Sequence, residues 1–199
     1  MPDTGTSDGD MFAFDLASVE TYLVAGQVWK LAPIDLSWYP ISAHLLQGDA
    51  DADPLEEDRE APLDGDRERA ELRARELGLP LAWPDRHGEA VPRAMRTATL
   101  AAEEGRGGTF MLAAARLAFA GGYNLDWDPD LLLDAASVAG LNPREAMLAA
   151  DDHSRDPLFE EHAARLRSLG INRLPALRLS GELALGERAI DELIGSGCG

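Results

Sequence analysis

Cysteine is almost missing from this 199-residue chain: the single copy is Cys198, one position from the end. A disulfide, a Cys-x-x-Cys redox pair and a cysteine-built metal site each need at least two, so one chain can make none of them. Lysine is nearly absent as well, with Lys30 alone among 18 basic residues against 36 acidic ones. The resulting net charge of −18 and isoelectric point near 4.4 oppose nucleic acid and anionic membrane surfaces by simple repulsion. Long apolar runs are also lacking. The longest, Phe110 to Gly122, is interrupted by Arg116 and falls well short of the roughly 20 residues of a membrane span. The first ten residues are acidic and polar where a secretory signal is basic and then apolar, which predicts a disordered tail over residues 1–10 of a cytoplasmic protein.

What is present is enough for a sizeable core, since 45% of the residues are hydrophobic. Met11 to Asp15 alternates large apolar side chains as a short strand does, and Ser18 then precedes a helical pattern running to about Leu31, with Tyr22, Leu23, Gly26 and Trp29 on one face. Ile34 to Tyr39 reads as a second strand closed by Pro40, and strand–helix–strand order implies a parallel crossover. Gly48 to Gly65 is a loop dense in Asp, Glu and Pro. Helical patterns follow over Asp66–Leu77, Ala94–Glu104, Thr109–Ala120, Leu131–Ala139, Pro143–Ala150 and Pro157–Leu169, punctuated by glycines. After Gly170 the period changes to two: Leu177 and Leu179, then Ser180-Gly181, then Leu183 and Leu185 describe a hairpin on a tight turn. A closing helix, Glu187 to Ile194, presents Ile190, Leu193 and Ile194 to the sheet.

The segment FAFDLASVETYLVA, the helical stretch from Arg93 to Leu141 and the ending INRLPALRLSGELALGERAIDELI resemble 2-hydroxychromene-2-carboxylate isomerases and kappa-class glutathione transferases, within the wider DsbA-like group. The resemblance covers most of the chain from Met11. It implies an α/β protein, a thioredoxin-like fold with an inserted all-helical domain: residues 11–65 as its first part with the acidic loop, 66–169 as the insertion, and 170–199 as its second part. It also implies that Ser18, at the start of the first helix, meets Leu174-Pro175 at one edge of the sheet. There the proline is normally cis, and the preceding residue turns its N–H and C=O toward an extended thiol ligand. A helix N-terminus supplies free N–H donors and a positive dipole end that favour a thiolate, so a hydroxyl donating to bound sulfur is chemically sensible at Ser18.

Carried over by position, Ser18 is the catalytic residue, and Leu174, Pro175, Gly186 and Glu187 bind the cofactor, which is glutathione or another low-molecular-weight thiol. The substrate is then a small aromatic or electrophilic molecule, and a homodimer is open to the chain because these families often dimerise. Two positions depart from the pattern. Val19 follows the serine where those families usually have proline, and Ala90 or Val91 stands where they have an asparagine. The competing expectation is a redox-inactive binding or scaffold protein of DsbA-like shape, in which Ser18 only caps its helix, worth about 1 kcal/mol, and Glu187 only complements a helix dipole. An open polar cleft at Ser18 favours the enzyme; a cleft filled by Trp83 or the acidic loop favours the scaffold.

The other chemistry-bearing residues give weaker patterns. Asp49, Asp51, Asp53 and Glu60 match four positions of a calcium loop, but Pro54 stands where glycine must turn, so a solvated loop is expected. Asp126, Asp128 and Asp130 are expected to start the helix that follows them. His44, His87, His153 and His162 have no zinc-binding spacing. His87, in the loop leading into the helical insertion, is the one histidine considered for acid–base work. Arg178 and Arg188 are candidates for holding a carboxylate, and Cys198 is expected to be an exposed thiol.

Overall fold

A computed structural model describes residues 9–31, 36–46 and 64–196. The first strand, β1 (Met11–Phe14), is buried at every position because both of its faces are covered. Phe12 and Phe14 point to one face and join the larger core; Met11 and Ala13 point to the other and join a second cluster with Ile41, Ala163, Leu166 and Ile171. Helix α1 (Val19–Leu31) follows, then β2 (Ser37–Pro40), which pairs with β1 in parallel, Phe12 opposite Trp38. Strands β3 (Ala176–Leu179) and β4 (Glu182–Leu185) form the expected hairpin, with Ser180 and Gly181 both at positive φ in its two-residue turn. Strand β3 lies antiparallel to β1, giving the order β2-β1-β3-β4.

Among the described residues, six α-helices lie between β2 and β3: α2 (Asp64–Glu76), α3 (Pro92–Glu103), α4 (Gly107–Phe119), α5 (Pro129–Ala139), α6 (Pro143–Asp151) and α7 (Asp156–Ser168); α8 (Glu187–Ser196) closes the described chain. Helices α1 and α8 pack together, α1 also packs on α4, and α7 sits near β2. The fold is thus thioredoxin-like with a helical insertion. None of the described helices is long and apolar enough to cross a membrane.

Several expectations shift. The buried stripe of α1 is Tyr22, Leu23, Val24, Ala25 and Val28, whereas Trp29, placed on that face by the pattern, is 46% exposed. Strand β2 begins at Ser37 and includes Pro40; Ile34 lies outside the described residues, as do residues 1–8, Asp49 to Glu60 with their calcium-loop spacing, and Cys198. Asp10, read as part of the tail, accepts from Ser37 N through its carbonyl and from Ser180 N through its carboxylate. Asp128 caps α5 as expected. Asp126 instead accepts the Arg93 and Ala94 N–H groups at the start of α3, a pairing across some 30 residues that spacing cannot reveal.

Two packing details hold the insertion to the sheet. At the start of α4, Gly107 and Gly108 lie flat against Trp38; a Cβ on Gly107 would stand 2.7 Å from Trp38 Cβ. The indole in turn meets Phe12 and Phe14 edge-on at 5.7 and 6.5 Å between ring centroids. In the bundle, buried Arg96 spends its guanidinium on both Asp156 oxygens, at 2.6 and 3.0 Å, and on the Ala150 carbonyl, tying α3 to α6 and α7. A buried cation is tolerated only with this degree of pairing.

Candidate functional site

The turn from β1 into α1 is set by Asp15. Its buried carboxylate accepts from Ala17 N at 2.9 Å and from Ala43 N at 2.8 Å, and Ser18 N donates to the Asp15 carbonyl at 3.1 Å. Burial pushes the Asp15 carboxyl up from its ordinary value while the two N–H donors pull the other way. Spent on the backbone, Asp15 shapes the loop that presents Ser18. The Ser18 hydroxyl itself bonds to none of the described residues, so its oxygen is not used in capping α1.

Ser18 opens onto a cavity of about 900 Å³. The Leu174–Pro175 peptide bond is cis, and Leu174 lines the same cavity; Gly186 N donates to the Pro175 carbonyl at 2.7 Å, which brings Gly186 and Glu187 alongside. Gly186 has φ +81° and packs against the Arg173 guanidinium, whose atoms would lie 3.2 Å from a Cβ there. Four of the five residues named from the sequence therefore wall one cavity, and Pro175 adjoins it. Glu187 is not a free carboxylate: it is buried at the first turn of α8, and Arg73 of α2 donates to it at 2.5 Å while also pairing with Asp191. These acids hold the Arg73 guanidinium even more firmly protonated than usual. Arg69 and Arg73 reach the cavity because α2 is tied to α8 through Arg73, which pairs with Glu187 and Asp191, and Arg173 reaches it from the loop just before the cis-proline; no local pattern records the first.

His87 reaches the rim from the far side. Its ring lies 4.5 Å from Trp83 and 5.7 Å from Phe119, and its loop is pinned where Arg86, at φ 58°, stacks 3.8 Å over Trp127. Burial, with Arg67 adding to it, lowers the His87 pKa to about 4, so the imidazole is neutral near pH 7. His87 and Gly88 also border a narrow crevice lined by Leu16, Val91, Phe119 and Leu125. Trp83 stacks on this cluster and donates to Glu71 at 3.0 Å; it does not line the large cavity. Arg178 lies in β3, away from the cavity, whereas Arg188 is exposed on its wall.

A cis-proline loop facing a helix start on a four-stranded mixed sheet, with helices inserted after β2, defines a thioredoxin-fold protein of the DsbA type, and the lone Cys198 rules out a Cys-x-x-Cys pair. Residues 36–195 match the DSBA-like thioredoxin domain, and the chain belongs to that family. Among solved structures it is similar to a 2-hydroxychromene-2-carboxylate isomerase, with TM-score 0.75 and 14% identity over 95% of this chain and 94% of that one. It is similar to a probable DsbA oxidoreductase from Streptomyces coelicolor, with TM-score 0.69 and 18% identity over 94% and 87% of the two chains. It also resembles the cytosolic disulfide reductase DsbM from Pseudomonas aeruginosa, with TM-score 0.59 and 17% identity over 96% and 98%; DsbM has also been solved with glutathione. No curated protein matches the sequence. At these identities the likeness establishes the fold, and the fold by itself does not fix the function.

Proposed function

We propose that this protein binds a low-molecular-weight thiol at Ser18 and uses it as the cofactor of an isomerase or transferase acting on a small aromatic or electrophilic compound. The observation that carries the reading is the open cavity of about 900 Å³ lined by Ser18, Leu174, Gly186 and His87, with the Ser18 hydroxyl unpartnered among the described residues, in a chain that cannot supply a redox cysteine pair. A bound thiol supplies the nucleophilic sulfur that the chain lacks. Ser18 Oγ donates to that sulfur and favours its ionised form, helped by the N-terminal N–H groups of α1. The Leu174 backbone pairs with the extended part of the ligand, as a strand edge does. Neutral His87 offers a ring N–H or nitrogen to the second reactant where the large cavity meets the apolar crevice. That Trp83 stacks away from the cavity supports an open cleft.

A second reading, a redox-inactive binding protein, draws on the Arg73–Glu187 pair, which commits to structure the acid that the resemblance assigns to a ligand. Calorimetry with glutathione, cysteine and coenzyme A separates the two. The enzyme reading expects one of these thiols to bind, and Ser18→Ala to weaken it by roughly 10-fold or more, the worth of a hydrogen bond to a charged sulfur. If none of the three binds, the catalytic reading fails and the second takes its place.

A further inference from the structure

The charged side chains around the cavity are four arginines, Arg69, Arg73, Arg173 and Arg188, against three acids, Glu20, Asp66 and Glu187, a local excess of one positive charge inside a chain of net −18. The pairing is orderly. Arg69 bonds to Asp66, Arg73 to Glu187 at 2.5 Å, and Arg173 to Glu20 at 2.7 Å. Each acid thus already faces a guanidinium. Arg188 stands on the same wall, beside Glu187, and among the described residues it has no ion-pair or hydrogen-bond partner. A ligand ammonium entering here must compete with an arginine for whichever carboxylate it approaches. A ligand carboxylate or phosphate finds Arg188 without displacing anything, and a guanidinium fork fits either group.

We infer that the thiol taken by this cavity is an acidic one whose amine is acylated or absent, with Arg188 holding its anionic group. This rests on the thiol-binding reading above and narrows it. Recognition then comes from Ser18 at the sulfur end and Arg188 at the acidic end, and Glu187 takes no part in holding the ligand because Arg73 has claimed it.

The test uses three probes on the full-length protein: glutathione, its N-acetyl derivative, and its diethyl ester, measured by calorimetry against the unmodified chain and Arg188→Gln. N-acetylglutathione is expected to bind at least as tightly as glutathione, and the diethyl ester roughly 10-fold more weakly than either, the range of a charge-assisted hydrogen bond. Arg188→Gln should weaken the two acids to the level of the ester and leave the ester unchanged. Arg188 is exposed and unpartnered among the described residues, so this variant should keep the circular dichroism spectrum and thermal midpoint of the parent, which is checked alongside. A 10-fold preference for glutathione over its N-acetyl derivative, or acids that ignore Arg188→Gln, overturns this inference while leaving the thiol reading standing. Absence of binding by all three probes overturns this inference, and the thiol reading falls with it when cysteine and coenzyme A also fail to bind.

Discussion

His87 makes a quantitative claim about the site that needs no substrate. Its folded pKa is about 4 against an ordinary value of 6.5. In the unfolded chain the imidazole takes up a proton as pH falls through 6.5, and in the folded chain it does not until about pH 4, so stability is full above 6.5 and is lost on the way down. The shift of 2.5 units is worth at most about 3 kcal/mol. Water reaches the ring from the cavity, and screening there reduces the expected loss to about 1–2 kcal/mol. Urea unfolding at pH 7.5 and pH 4.5 reads it, provided the protein is compared with His87→Phe, because the many carboxylates of this acidic chain titrate in both and cancel in the difference. The unmodified chain should lose about 1–2 kcal/mol more than the variant across that interval, and the His87 ring resonances should titrate near pH 4. Equal losses in the two proteins, or titration of His87 near 6.5, would refute its placement against Trp83 and Phe119.

Two further expectations concern the frame around the cavity. Arg73→Ala leaves the buried Glu187 carboxylate without its counter-charge and unties α2 from α8; a loss of about 2–3 kcal/mol is expected by denaturant unfolding, below the range for fully buried pairs because solvent reaches Asp191. A loss under about 0.5 kcal/mol would mean the pair is only a surface contact. Gly107→Ala drives a methyl group into Trp38, whose Cβ is fixed to β2 and cannot swing away. Overpacking of up to about 3 kcal/mol, less about 1 kcal/mol gained in helix propensity, predicts a net loss of about 1–2 kcal/mol and a lower thermal midpoint. An unchanged midpoint would show that α4 can slide on the sheet.

The sequence by itself determined the order of elements. The change of period from 3.6 to 2 after Gly170, the Ser180-Gly181 turn and the Leu174-Pro175 step are local signals, set by backbone geometry within a few residues, and they appear in the fold where they were read. The lone cysteine likewise settled, by count, which chemistry the fold cannot perform. Tertiary structure decided everything that depends on distant segments meeting. Trp29 and Val28 are neighbours with similar hydrophobicity, and only the placement of the packed helices buries one and exposes the other. Asp126 reads locally as the start of α5, yet the bend after α4 carries it to the exposed N–H groups of α3, a better acceptor site than its own helix offers. Glu187 was legible as a site position but not as a paired one, because its partner Arg73 lies 114 residues away on a helix with several arginines and nothing local to mark which of them is paired. Spacing reports which face a residue occupies on its own element. Whether a charge on that face is free for a ligand or already bound depends on which other element the fold lays against it.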